Sequence, residues 1–168
     1  MRSEYRLEPV DHSALAIARQ LHAVQMSAYA QEAQLLGATY FPPLERTVDE
    51  LRTYPEEFVA AFIEDQLVGA VSVWPDPEGL GANIASLVVA PPYQRRGIGR
   101  RLLATVLAKR GGGVVTVQTG ARNVPALTLY AQAGFVELRR WLVGHEPLEL
   151  VKLYRPASLT PESSENAA

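Results

Sequence analysis

The chain has 168 residues, 48% of them apolar, no cysteine and a formal net charge of −2. That length suits one domain whose core needs no covalent staple, and the missing cysteines exclude a disulfide scaffold, thiolate metal ligands and a Cys nucleophile. The small net charge hides a division: residues 79–136 hold seven Lys and Arg and no Asp or Glu, so they carry +7 against −9 elsewhere. Charge segregated in this way points to an anionic partner for the middle of the chain.

No apolar leader follows Met1 to Arg6, and no apolar run approaches the roughly 20 residues of a membrane span. These features, with the absent cysteines, fit a cytoplasmic protein without a membrane partner. Tyr5 to Val10 reads as a first strand. Asp11 or Ser13 can cap a helix that runs to about Gln34, with Leu15, Ile17, Ala18, Leu21, Val24 and Ala28 on one side. Gly37 and Tyr40-Phe41-Pro42-Pro43 break it. Thr47 caps a short helix over Val48 to Thr53. Phe58 to Ile63 and Leu67 to Trp74 read as an antiparallel hairpin, because the link is too short for a crossover. Asn83 to Ala90 is a further strand, stopped by Pro91-Pro92.

A helix begins near Gly97 and buries Ile98, Leu102, Leu103, Val106 and Leu107. Gly111-Gly112-Gly113 end it. Val114 to Gln118 is a buried strand. Asn123 caps a helix with Pro125 in its first turn, and Gly134 stops that helix. Phe135 to Trp141 and Leu148 to Tyr154 complete a mixed α/β sheet. The remainder, 157–168, is rich in Ser, Glu and Ala and is expected to stay mobile. His12, His22 and His145 lack metal-site spacing, and no metal is expected. No nucleotide-hydrolysis loop or nucleophile elbow occurs.

The informative segment is Leu87-Val88-Val89-Ala90-Pro91-Pro92-Tyr93-Gln94-Arg95-Arg96-Gly97-Ile98-Gly99-Arg100-Arg101. It sets two glycines between a buried strand and a helix N-terminus, whose first N–H groups have no partner within the helix. Gly97 and Gly99 allow close backbone approach. The helix end favours phosphate, and four arginines surround it. Basic residues in a first helical turn oppose the dipole and cost a few tenths of a kcal/mol each; a bound anion reverses that sign. A dinucleotide fingerprint is excluded, since Leu102 stands where its third glycine would be and no acid follows until Glu137.

Gln94-Arg95-Arg96-Gly97-Ile98-Gly99 resembles the Gln/Arg-x-x-Gly-x-Gly/Ala signature of the GNAT (Gcn5-related) N-acetyltransferases. Asn123-x-x-Ala126-x-x-Leu129-Tyr130-x-x-x-Gly134-Phe135 is similar to that family's late motif. The resemblance spans Tyr5 to Tyr154. It implies one acetyltransferase domain over 1–156, with a mostly antiparallel sheet of about seven strands, flanked by helices and splayed between strands 4 and 5. The implied cofactor is acetyl-CoA. Its pyrophosphate would lie on the amides from Arg95 to Arg100, with Gln94 beside them, and its pantetheine arm would pair with Leu87, Val88 and Val89 like an added strand. The Val89 N–H would polarise the thioester carbonyl. Tyr130 would be the general acid, and Asn123 would contact the cofactor arm besides capping its helix.

Many relatives carry a carboxylate base on the fourth strand; this chain has Ser86 there, a poor base alone. A water held by Ser86 or Asn83, or Glu32, Tyr40 or Glu78, is an alternative route, and His145 and Glu146 lie in the last loop. Tyr29, Glu32, Tyr40, Phe41 and His145 are the acceptor-site candidates. The resemblance thus implies acetyl transfer to a primary amine, of a small molecule or a protein N-terminus, directly in a ternary complex. It leaves a homodimer open. Two rivals are a non-catalytic acyl-CoA-binding or sensing module of the same fold, and a nucleic-acid-binding protein using the basic segment. The latter lacks an RNP-like aromatic motif, so no nucleic-acid partner is expected.

Overall fold

The computed structural model describes residues 4–110, 112–145 and 147–157. Among these residues the strands are β1 (Arg6–Val10), β2 (Glu57–Ile63), β3 (Gln66–Pro75), β4 (Ala82–Val89), β5 (Val115–Gly120), β6 (Val136–Val143) and β7 (Leu148–Arg155). The helices are α1 (Leu15–Leu36), α2 (Val48–Thr53), α3 (Ile98–Lys109) and α4 (Val124–Gln132). Short 3-10 turns cover Pro42–Glu45 and Pro91–Tyr93. All but Ala157 of the predicted tail, together with Gly111 and Glu146, lies outside the described residues.

The strands form one sheet in the order β1-β2-β3-β4-β5-β7-β6. Every neighbouring pair is antiparallel except β4 and β5, which run parallel. The crossover between those two is α3, as a parallel pair requires. Two cores cover the two faces. On one, Ile98, Leu102, Leu103 and Val106 of α3 join Tyr130 of α4 and Val71, Ile84, Val115 and Val117 of the sheet. On the other, Leu21, Val24 and Tyr29 of α1 and Leu51 of α2 pack on Phe58, Ala60, Ala70 and Val88. Each fully buried aliphatic side chain contributes about 1.5–3 kcal/mol, so both layers hold the sheet between them.

The predicted caps divide. Thr47 and Glu50 make a complete capping box at α2, and Asn123 Oδ1 accepts from the Ala126 N–H at 3.2 Å. Neither Asp11 nor Ser13 caps α1. Its first flanking residue is Ala14, with no side-chain cap. Asp11 Oδ1 instead accepts from the backbone N–H and hydroxyl of Ser13, at 3.0 and 2.6 Å. That local turn uses an acceptor three residues before the flanking Ala14, too early to reach the helix. His12 and His22 donate from Nε2 to the carbonyls of Tyr54 and Arg46, at 2.5 and 2.7 Å. Both fasten α1 to the α2 segment.

A buried ionic cluster closes the lower end of the parallel seam. Lys152 Nζ of β7 lies 2.7 Å from Asp76 Oδ1 and 3.0 Å from Glu78 Oε1. Thr116 of β5 donates to Asp76 at 2.7 Å and accepts from Asn83 Nδ2 of β4 at 2.9 Å. The cluster therefore binds the β3–β4 turn to β4, β5 and β7 at one level.

Candidate active site

The parallel seam is short. Only Ala82, Asn83 and Ile84 of β4 pair with β5, opposite Val115, Thr116 and Val117. Beyond them the strands diverge, leaving Ala85–Val89 and Gln118–Gly120 without partners in each other. The Ala90 N–H donates to the Val68 carbonyl at 2.8 Å, and Gly69 lies opposite Val89. Gly69 and Val89 are thus a non-hydrogen-bonded pair, so the N–H and C=O of Val89 face away from β3 into the opening. Leu87, two residues back, faces the same way. The resemblance assigned to these residues a strand edge able to receive an extended arm, and such an edge is present.

Ala85 makes a bulge. Ser72 lies opposite Ser86, yet the next residue, Val73, lies opposite Ile84. Ile84 packs in the α3–α4 core. Strict alternation would put Ser86 on that same face; the extra residue turns it to the α1 face. There Ser86 Oγ and Tyr29 Oη share a hydrogen bond of 2.8 Å.

At the upper end of the opening lies the glycine turn. Gly97 is the residue flanking α3, with φ +82°, a conformation that favours glycine. A Cβ placed on it would meet no atom within 4 Å, so its outer side is free for a ligand. Arg95 also holds a left-handed φ of +64°, a strain that clusters at ligand clamps. Arg96 lies over the Tyr93 ring and Arg101 over the Tyr5 ring, at 5.5 and 5.8 Å. Arg100 reaches Gln132 at 3.4 Å. None of the four turn arginines forms an ion pair among the described residues, whereas Lys109 and Arg110 are held by Glu57 at 3.4 and 3.7 Å. The uncompensated part of the +7 segment is therefore concentrated at the turn. Gln94 does something different from what the motif implies. Its Nε2 donates to the Val89 carbonyl at 3.0 Å and to Gln31 Oε1 at 2.7 Å, clamping α1 to the end of β4.

The opening has a polar wall on the α1 side. Helix α1 crosses it, with Tyr29 bonded to β4 and Leu36 laid on β5. The approach at β5 is close: a Cβ on Gly120 would come within 2.5 Å of the Leu36 side chain, which would have to shift to admit it. Glu32 stands between these two anchors. Burial pushes its carboxyl above the usual range, an effect that the neighbouring Asn123 side chain opposes; the Asn123 amide itself donates to Thr119 Oγ1 at 3.4 Å. Tyr130 is 5% exposed, with its ring edge-on to Phe135 at 5.3 Å. Burial raises its phenol, as do the nearby charges of Glu32 and Tyr29. Burial likewise raises Tyr29, which the bond from Ser86 opposes. The structure thus gathers Tyr29, Glu32, Ser86, Asn123 and Tyr130. Phe41 joins them edge-on to Tyr29 at 6.2 Å.

Tyr40 is 67% exposed, with its hydroxyl 3.5 Å from Glu45, and His145 is exposed on the β6–β7 turn. Glu78 is spent on Arg139 and Lys152. Two residues went unnoticed in the sequence. Gln25, one turn before Tyr29, and Ser72, across from Ser86, are fully buried, and Gln25 Oε1 and Ser72 Oγ have no hydrogen-bond partner among the described residues. A glutamine and a serine inside apolar runs were the only available signal.

Residues 19–135 match the model of the acetyltransferase (GNAT) family. The UPF0157 protein YqkA of Bacillus subtilis is 35% identical over 130 residues, 77% of this chain but only 37% of that protein, so the match spans little more than a third of its length. The N-alpha-acetyltransferase RimI of Mycobacterium tuberculosis is 36% identical over 142 residues, 79% of this chain and 84% of RimI. The yncA structure from Salmonella typhimurium, solved with its cofactor acetyl-CoA, superposes with a TM-score of 0.70 at 14% identity, covering 99% of this chain and all of that one. A sheet split after three parallel pairs, a glycine turn at the split and a family match across both agree: this chain belongs to the GNAT acetyltransferase family.

Proposed function

We propose that the chain is an acetyl-CoA-dependent N-acetyltransferase that acts on a primary amine, with the α-amine of a peptide as the acceptor to test first. The observation that carries this reading is the β4–β5 opening with an unpaired strand edge along one side and a glycine turn at its end. The name of the mycobacterial relative supports a peptide N-terminus. The yncA structure, solved with acetyl-CoA as its cofactor, supports the same cofactor here.

The residues present fit the cofactor. The amides from Arg95 to Arg100, with the free side of Gly97 and the unpaired arginines, would hold a pyrophosphate. Leu87 and Val89 offer outward N–H and C=O groups to an extended amide chain, although Gln94 already occupies the Val89 carbonyl. The Val89 N–H is left as the donor for a polarised carbonyl oxygen. When bound, acetyl-CoA supplies an activated acetyl group and a thiolate leaving group. Tyr130, whose surroundings favour the protonated phenol, would donate a proton to sulfur. Asn123 is committed to the α4 cap and to Thr119 Oγ1, so its part here is to position α4 beside Glu32. With no cysteine in the chain, direct transfer between two bound substrates is the route these residues support.

A panel of short peptides with free and blocked N-termini, alongside lysine and a polyamine, tests the activity by CoA release. We expect turnover on free α-amines and none on blocked ones. The glycine turn has its own test. A Cβ on Gly99 would make only ordinary contacts, 3.8 Å to Val89 and 3.9 Å to Leu129. Gly99→Val should therefore leave the melting temperature within a few degrees. It should still weaken acetyl-CoA binding at least tenfold by calorimetry, a loss of about 1.4 kcal/mol. Gly97→Val adds backbone strain of roughly 1–2 kcal/mol and should lose binding as well. Unchanged affinity in both variants would overturn the phosphate-turn assignment.

A further inference from the structure

We propose that Glu32 of α1 is the proton acceptor for the amine, taking the part for which β4 offers only Ser86. The inference rests on the acetyltransferase reading and adds a residue to it. Three observations carry it. First, α1 is fixed on both sides of the opening, by Tyr29 to Ser86 of β4 and by Leu36 on Gly120 of β5. Seven residues of helix separate these anchors, about 10 Å, and Glu32 lies between them on the same side. Second, Glu32 lies near both the start of α4 and the phenol. The Asn123 side chain and the Glu32 carboxyl influence one another, and the Glu32 charge acts on the Tyr130 phenol. A carboxylate and a phenol close to the same opening are the pair that acid–base catalysis uses. Third, Glu32 forms no ion pair among the described residues, and the Asn123 side chain beside it is neutral.

The charged and titratable groups around Glu32 are few. Tyr29 precedes it on α1, Tyr130 faces it from α4, and Arg122 approaches the end of α1, its Nη1 3.9 Å from where a Gly37 Cβ would be. Arg46 and Glu56 act on Tyr29 from the α2 side. Partial burial without a cation holds the Glu32 carboxyl above its ordinary value, closer to the pH at which a base works best.

The step balances as follows. Glu32 takes one proton from the ammonium, freeing the nitrogen lone pair. Nitrogen bonds to the acyl carbon as the C–S bond breaks and its electron pair leaves on sulfur. Tyr130 gives sulfur a proton, and the second proton lost by nitrogen restores the phenol. Glu32 releases the first proton to water.

Glu32→Gln tests the assignment, with Glu32→Asp beside it. Using whichever N-terminal peptide the wild type turns over, we expect kcat to fall about 100-fold or more in Glu32→Gln, with KM moving less than threefold and Glu32→Asp recovering part of the rate. The acidic limb of the wild-type pH profile should vanish in Glu32→Gln. Two readouts do not depend on turnover. Acetyl-CoA affinity should stay within twofold, and carbon-13 NMR of the free protein should show a glutamate carboxyl titrating above its ordinary range, absent from Glu32→Gln. A variant with wild-type kcat and an unchanged pH profile overturns the base while leaving the acetyltransferase reading intact. A wild type that binds acetyl-CoA yet turns over no amine overturns that reading, and the base with it.

Discussion

Tyr130→Phe is expected to lower kcat about 100-fold while acetyl-CoA affinity changes less than twofold. The ring should stay where it is, because Phe135 and the α3–α4 core hold it and no hydrogen bond from its hydroxyl is seen among the described residues. Losing that hydroxyl therefore costs the fold little, and the loss falls on proton delivery to sulfur. The sign of the pH effect follows. Tyr130 must be protonated to act, and burial with the charge of Glu32 raises its phenol. The wild type should therefore show no alkaline fall in kcat near the ordinary tyrosine value of about 10. Stopped-flow CoA release across the pH range checks both statements. A Phe variant that keeps full kcat would assign the acid elsewhere and leave Tyr130 as core. The same variant separates catalysis from a sensing role, since a sensor would lose nothing measurable.

Much of the fold was legible because its elements carry strong local signals. The period of Ile98, Leu102, Leu103 and Val106 marks α3, and those residues are buried as that pattern predicts. Thr47 with Glu50, and Asn123 with Pro125, state helix starts in a few residues. Asp11 and Ser13 misled for a physical reason: both can cap a helix, and both can also close a turn on each other. The helix end shifted too, from about Gln34 to Leu36, since Gly37 supplies the left-handed cap.

The site was legible in its backbone and much less so in its side chains. The glycine turn and the strand exit are written as consecutive residues. The wall that α1 presents is not, because it depends on register. Whether Ser86 faces Tyr29 is decided by the bulge at Ala85, and alternation alone would have given the opposite face. Gln94 belongs to the motif, yet here it grips Gln31 and the Val89 carbonyl, a contact between segments 63 residues apart. Charge counting found the basic segment but not its division. Glu57 pairs with both Lys109 and Arg110, while the turn arginines have no ion partner among the described residues. That division also weakens the nucleic-acid reading, which needs an extended basic track for several phosphates rather than one local cluster.

Lys152→Met is expected to cost about 3–5 kcal/mol of stability, the largest loss foreseen for a single side chain here. Lys152 is 3% exposed and Asp76 5% exposed, so removing the ammonium strands a buried carboxylate. Burial alone would raise Asp76; the bonds from Lys152, Thr116 and the Leu80 and Glu78 amides outweigh it and bring the carboxyl down to about 2 from 3.8. A group depressed in the folded state adds stability that is complete above its unfolded value and is lost as pH falls through its folded value. The wild type should thus lose roughly 2 kcal/mol between about pH 4 and pH 2 from this group alone. The gap between wild type and Lys152→Met should narrow over the same window, because protonating Asp76 removes the penalty that the variant carries. Urea unfolding at pH 7 and pH 3 measures both changes. Adding Asp76→Asn to Lys152→Met should recover part of the loss at pH 7, since no charge is then left buried. An equal stability gap at both pH values would show that the ion pair does not hold this end of the sheet. The cluster sits at the second of the three β4–β5 pairs, one pair below the opening, so it fixes the angle of the opening from below, and loosening it should weaken acetyl-CoA binding without touching any residue of the glycine turn.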